Sequence, residues 1–171
     1  HLVGFSIGSL IARNFACKFN HRLESLTLLC SVFNRSKDQQ QIVNDRFELA
    51  KKNNSLSKQA LKRWFTEDYL NKNPKTYEKI KSILDKNDMT NFLKVYQLFV
   101  EHKDNEEFNK IKTKTLVITG EEDVGSTPEM SKNLSAIIEN SNLTIIPKAK
   151  HLCSIECPDD VNNAMKRLIN A

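Results

Sequence analysis

Glycine is scarce in this chain. Its 171 residues include four, two of them framing Ser6 and two framing Asp123. Each is expected where the backbone must turn sharply. No apolar run approaches the ~18 residues of a membrane span, and no basic-then-apolar segment opens the sequence, which says little about localisation in a chain expected to be part of a longer protein. Cys17, Cys30, Cys153 and Cys157 form no paired CxxC framework, which argues against a zinc ribbon or a disulfide scaffold. Cys17 and Cys30 fall in apolar segments and read as small core residues. His151, Cys153 and Cys157 lack a fourth ligand at sensible spacing, so no metal is expected. Internal repeats and low-complexity segments are also missing. A reducing, cytoplasmic setting follows as the default.

What is present is ordinary for one domain with a real core: 39% hydrophobic residues, 27% charged, and a mean hydropathy of −0.50. The net charge of +5 is unevenly spread. Residues 34–112 hold 17 Lys and Arg against 12 Asp and Glu, whereas the remainder holds 9 of each. Solvated helices in a Lys- and Asn-rich protein account for this surplus. A sharper reading is a positive field that receives an anionic substrate. The lysines alternate with acids and form no stripe, which argues against nucleic-acid binding.

Leu2 to Gly4 reads as the end of a buried strand. A helix is predicted from Ile7, with Ile11, Phe15 and Phe19 marking its apolar face and Leu10 and Cys17 beside them. Leu26 to Val32 is an apolar run of strand length. Two strands joined through a helix imply a parallel sheet covered on both sides, an α/β class. From 34 to 108 the pattern changes to successive polar helices, read as a helical cap inserted between two parts of the sheet domain, 1–33 and 109–171. Within the cap, Ile42, Val43, Phe47 and Ala50 mark one face, and Leu56, Ala60, Leu61, Trp64 and Phe65 another. Tyr77, Ile80, Ile83 and Leu84 follow Pro74, and Asp88 is an expected N-cap. The sheet resumes at Thr115 to Thr119. Thr127 then caps a helix with Pro128 at its first position and Met130, Leu134, Ile137 and Ile138 toward the core. Leu143 to Ile146 is the last strand, and a final helix follows Pro158.

Gly4-Phe5-Ser6-Ile7-Gly8 is a G-x-S-x-G pentapeptide between strand and helix, the context of a nucleophile elbow. Such a turn strains the serine backbone, so small residues two before and two after are expected. It also presents the hydroxyl at a helix N-terminus, where aligned amides favour developing negative charge. A serine hydroxyl needs a base to take its proton and an acid to orient that base. Both belong on loops at the C-terminal ends of strands. Asp123 follows the strand ending at Thr119, with Glu121 and Glu122 as competitors, and His151 follows the strand ending at Ile146. His1, His21 and His102 lack that context. Ser6, Asp123 and His151 are therefore the candidate triad, in an order known for hydrolases of this sheet type. The backbone N–H of Ile7 is the candidate oxyanion donor.

On these residues the chain resembles the α/β-hydrolase superfamily over nearly its whole length. His1-Leu2-Val3-Gly4-Phe5-Ser6-Ile7-Gly8, Arg63-Trp64-Phe65-Thr66 and Thr119-Gly120-Glu121-Glu122-Asp123-Val124-Gly125-Ser126-Thr127-Pro128 are similar to the 3-oxoadipate enol-lactonase branch in particular. In that family the acid usually stands three residues after the strand-ending glycine, which favours Asp123. The resemblance implies a cofactor-free serine hydrolase acting on a small lactone or carboxylic ester. For the lactonase that substrate carries carboxylates, which would suit a basic cap. Trp64, Phe65, Tyr96 and Phe99 are candidate acyl-pocket residues, each also readable as packing within the cap. Two residues depart from the family pattern: Ser9 stands where a second glycine is common, and Lys150 where glycine usually precedes the histidine. The chain opens on His1 rather than Met, and the family has strands before the elbow, one of whose loops supplies a second oxyanion amide. The expectation is thus a piece of a longer protein, weakly active or inactive alone and prone to self-association. The competing readings are a non-catalytic binding protein on the same scaffold, an inactive fragment, or another triad chemistry such as acyl transfer, perhydrolysis or C–C hydrolysis.

Overall fold

The computed structural model describes residues 1–52 and 56–170. Four strands lie side by side in chain order, all parallel: β1 (Leu2–Phe5), β2 (Leu26–Leu29), β3 (Thr115–Gly120) and β4 (Ser141–Ile146). β2 and β3 are buried at every position, as expected of strands covered on both faces. Phe5 pairs with Leu29, Leu29 with Ile118, and Gly120 with Ile146. This register brings the strands' C-terminal ends out along one edge of the sheet. Side chains alternate between two cores. Leu116 and Ile118 point to one, with Leu29, Ile146, Val161, Ala164 and Leu168, whereas Val117 points to the other with Leu26, Leu28, Leu134 and Ile138.

The chain divides into two compact units, residues 1–33 with 104–171, and residues 34–103. In the first, α1 (Ile7–Phe19) connects β1 to β2, α7 (Pro128–Ile137) connects β3 to β4, and α8 (Cys153–Glu156) and α9 (Pro158–Asn170) end the chain. Thr127 caps α7 as predicted, its hydroxyl accepting the Met130 N–H at 3.3 Å. The short α8 was not anticipated, and β4 begins two residues earlier than the apolar run implied.

The predicted face of α1 is only partly right: Leu10 is buried and Phe15 and Cys17 are half-buried, but its other members face outward. Ile11 is 68% exposed and Phe19 43%, while Ser9, Leu10, Ala12, Arg13 and Ala16 are buried. The reason is close approach: a Cβ on Gly4 would lie 2.4 Å from the Gly8 carbonyl oxygen and 2.7 Å from the Ala12 Cβ. The helix comes down on β1 so tightly that small residues must face the strand, and the bulky stripe turns outward. Gly8 itself has nothing within 4 Å of the place its Cβ would take, so only one of the two elbow glycines is demanded by space. None of the glycines has a positive φ; that conformation falls to Ser6, Cys30, Asn34 and Lys148.

α1 also buries a charge. Arg13 is 0% exposed, with Nε donating to Glu106 Oε1 at 2.8 Å, Nη1 to the Val32 carbonyl at 2.9 Å, and Nη2 to Asp104 Oδ1. Its guanidinium also lies 5.4 Å from the Phe108 ring centroid. A buried cation so paired fixes register more than it adds stability. It ties the segment that begins at Asp104 to the helix behind Ser6.

The second unit contains α2 (Lys37–Lys52), α3 (Ser57–Trp64), α4 (Glu67–Lys72), α5 (Pro74–Asp85) and α6 (Met89–Glu101). Val43, Phe47, Ala50, Ala60, Leu61 and Phe65 are buried, close to the predicted faces, whereas Ile42 and Ile83 are exposed. Asp88 caps α6, its Oδ1 accepting the Thr90 and Asn91 N–H groups at 2.9 and 3.3 Å. α4 was missed, although Thr66 caps it in the same way. Among the described residues no helix is long and apolar enough to cross a membrane.

The contrast between the two elbow glycines is testable. Gly4→Ala is expected to cost about 1–3 kcal/mol through overpacking against α1, and Gly8→Ala to stay within about 0.5 kcal/mol of the parent. Urea denaturation midpoints of the two variants measure the difference, and equal losses would remove the close-approach explanation.

Candidate active site

Ser6 leaves β1 with φ 53° and ψ −119°, a conformation that side chains resist. Its own N–H is tied to the Leu29 carbonyl at 2.9 Å, so the strained turn is anchored to the neighbouring strand. α1 starts at the next residue. As its first residue, Ile7 has one of the amides that a helix leaves without an internal acceptor.

At the end of β3 the chain passes directly under the loop that follows β4. A Cβ on Gly120 would sit 2.3 Å from the carbonyl oxygens of both Ala149 and Lys150, so no other residue fits unchanged. The Glu121 N–H donates to the Ile146 carbonyl at 2.8 Å and the Glu122 N–H to that of Ala149 at 2.9 Å, joining the two loops. Asp123 then turns inward, its side chain 1% exposed, while Glu121 and Glu122 stay outside. Its Oδ1 accepts the N–H groups of Gly125 at 2.8 Å and Ser126 at 3.0 Å. The Thr119 hydroxyl donates to the Ser126 carbonyl at 2.8 Å and fixes that turn to the strand.

The remaining oxygen, Asp123 Oδ2, lies 2.7 Å from His151 Nδ1, and His151 Nε2 lies 3.0 Å from Ser6 Oγ. A carboxylate only accepts hydrogen bonds, so Nδ1 carries the ring proton and Nε2 keeps its lone pair for the serine hydroxyl. The three sequence candidates are thus in one line, hydroxyl to imidazole to carboxylate. The arrangement can draw a proton from the hydroxyl and steady the imidazolium that results. His1 and His21 are exposed, with His1 Nδ1 2.8 Å from Ser25 Oγ.

The four aromatic candidates lie in the helical unit. Trp64 ends α3 and is half-buried. Phe65 is 0% exposed and stacks on Tyr69 at 5.4 Å between centroids, so it has no surface to offer a ligand in this structure. Tyr96 meets the rings of Phe47, Phe92 and Phe99, and the Arg35 guanidinium lies 4.3 Å from the Phe99 centroid.

Sequence reasoning missed the side chains that support this line. The Phe5 ring packs 5.1 Å from that of His151. The Glu156 side chain accepts the Lys150 backbone N–H at 2.6 Å and holds the histidine loop. Cys30 meets the His151 main chain. Only the Asp123 turn left a sequence signal, an aspartate two and three residues before the amides it accepts from. The contacts of Phe5 and Cys30 with His151 join residues distant in sequence. The donor atoms of Cys30, Asp123 and His151 lie within 4.8 Å of one another, but Asp123 and His151 direct theirs at each other and at Ser6.

Comparison with known proteins follows the same lines. A family model described as alpha/beta hydrolase fold matches residues 1–158. An (E)-2-((N-methylformamido)methylene)succinate hydrolase of Acinetobacter baylyi is 25% identical over 170 residues, covering 97% of this chain and 63% of that protein. The enol-lactonase of Burkholderia xenovorans LB400 superposes with a TM-score of 0.85 at 24% identity, over 99% of this chain and 65% of its own. A malate-bound thermophilic esterase of Thermogutta terrifontis gives 0.84 at 24% identity, over 99% and 64%. The chain therefore spans less than two thirds of the length of these relatives, and the two structural likenesses bear on the fold.

The proton arrangement is open to direct measurement. Long-range ¹⁵N–¹H correlation spectra are expected to show His151 as the Nδ1–H tautomer, and Asp123→Ala to lose that preference. An Nε2–H tautomer in the parent would contradict the line from Asp123 to Ser6.

Proposed function

This chain belongs to the alpha/beta hydrolase fold family, and from that premise we propose that it carries the catalytic triad of a serine hydrolase. One observation supports the reading above all: the hydroxyl, imidazole and carboxylate in line, at 3.0 and 2.7 Å. Ser6 Oγ attacks the carbonyl carbon of a lactone or carboxylic ester while His151 Nε2 takes its proton. The Ile7 N–H stabilises the oxyanion of the tetrahedral adduct. Collapse breaks the acyl–oxygen bond, and His151 returns the proton to the leaving oxygen. In a lactone that oxygen stays tethered to the acyl group. A water molecule, deprotonated by the same nitrogen, then attacks the acyl-serine and restores Ser6. Asp123 keeps the imidazole in the required tautomer throughout.

For the substrate we propose a small ester or lactone bearing a further carboxylate, with 3-oxoadipate enol-lactone as the compound to which the sequence motifs point. Two features support this. The relatives include one named for a succinate derivative and one solved with malate, both dicarboxylic skeletons. Residues 34–103 hold 15 Lys and Arg against 9 Asp and Glu, a field that favours anions. Trp64, Tyr96 and Phe99 remain the proposed substrate-contacting aromatics, each half-buried within the helical unit.

In the full-length protein that carries this chain, a fluorophosphonate probe is expected to label Ser6 in the parent and not in Ser6→Ala, with Asp123→Asn lowering turnover by about 10⁴-fold. Labelling that persists in Ser6→Ala would dismiss the nucleophile. A panel of enol-lactones and short p-nitrophenyl esters tests the substrate class. The carboxylated members should have the higher kcat/KM, and theirs alone should fall as salt is raised.

A further inference from the structure

β2 ends in a conformation that needs explaining. Cys30, the next residue, is 0% exposed and has φ 52°, a backbone geometry that glycine adopts freely and a side chain resists. Its N–H donates to the Ile118 carbonyl at 2.7 Å, a bond that glycine would make equally well. The Cys30 side chain makes contacts that glycine could not. The Cys30 Sγ donates to the main-chain carbonyl of His151 at 3.2 Å. Behind it, Cys153 Sγ lies at 3.8 Å and Thr119 Oγ1 at 4.0 Å, so the sulfur is held from several sides.

The hydrogen bond with Cys153, then burial, then the neighbouring Cys153 and Asp123 push the Cys30 thiol well above its ordinary pKa. It therefore remains an S–H group able to donate. Both ring nitrogens of His151 are already engaged, one with Asp123 and one with Ser6. With Asp123 holding the ring at Nδ1, the position of the His151 main chain also bears on where Nε2 falls, and Cys30 meets that main chain at the carbonyl.

We propose that Cys30 is a positioning residue: its thiol holds the main chain at His151 so that Nε2 stays aligned on Ser6 Oγ. The proposal rests on the triad reading above and adds a role beyond the three residues. A thiol is a weak donor, so its removal should loosen the alignment rather than abolish the reaction.

The test, made in the full-length protein that carries this chain, compares kcat, KM and the rate of fluorophosphonate labelling at Ser6 in Cys30→Gly, Cys30→Ser and Leu168→Ala. Glycine accepts the φ but has no side chain, serine restores a donor, and Leu168→Ala damages the same core away from His151. Cys30→Gly should lower kcat and the labelling rate about tenfold, with KM within about twofold of the parent. Cys30→Ser should recover most of that loss. Leu168→Ala should lower the melting temperature while leaving kcat unchanged well below it. Parent-like kcat in Cys30→Gly, or serine no better than glycine, would overturn the proposal. If Cys30→Gly does not fold, Cys30→Ala takes its place, and equal kcat for alanine and serine overturns it. A parent that fails to label at Ser6 brings down the triad reading and this proposal with it. A parent that labels beside unaffected Cys30 variants brings down this proposal alone.

Discussion

The hydrogen bond between His151 Nδ1 and Asp123 Oδ2 joins the loop after β4 to the loop after β3, and the rest of the site takes its geometry from it. An imidazole on a loop has two free torsions and is not aimed by its own backbone alone. Here the carboxylate that aims it is fixed in turn. Thr119, still on the strand, holds the Ser126 carbonyl, and the Ser126 and Gly125 amides hold Asp123. The order of β3 thus reaches Ser6 through a chain of hydrogen bonds. The two at Ser126 are buried and the others partly so, and away from water each is stronger and a broken one costlier.

This geometry depends on how closely segments can approach. Gly120 lets the two loops cross at a separation that no Cβ permits, and Gly4 lets α1 lie on β1. The site also stores strain, since Ser6 and Cys30 both hold positive φ at the ends of adjacent strands. Such residues cost about 1–3 kcal/mol each. A buried leucine or isoleucine contributes about 1.5–3 kcal/mol, and the two cores flanking the sheet hold several of each. A few core residues are enough to offset the strained turns.

Most of the sheet and its helices were legible in the sequence because β2 and β3 are buried on both faces and read as unbroken apolar runs. Local chemistry was legible as well: Asp88 and Thr127 cap the helices that their positions predicted. Reading failed where a neighbour overrides periodicity. Ile11, Phe15 and Phe19 make the stronger apolar stripe, yet the space at Gly4 admits only the small face of α1. Phe65 belongs to a motif that suggested a pocket, and its ring is wholly covered and stacked on Tyr69. The choice among three neighbouring acids was open on residues alone. The turn decides it, burying Asp123 and leaving Glu121 and Glu122 in solvent.

Taken alone, the amino-acid order determined which residues could do chemistry: a serine in a glycine-framed strand-to-helix turn, and an acid and a histidine each placed after a strand. Those assignments are local, resting on backbone preferences and on spacing within a few residues. Tertiary structure decided which carboxylate faces the imidazole, which side of α1 meets the sheet, and that Cys30 reaches the His151 carbonyl. Each of these joins groups on separate strands or loops through the parallel register, and contacts made across a sheet leave no pattern along the chain.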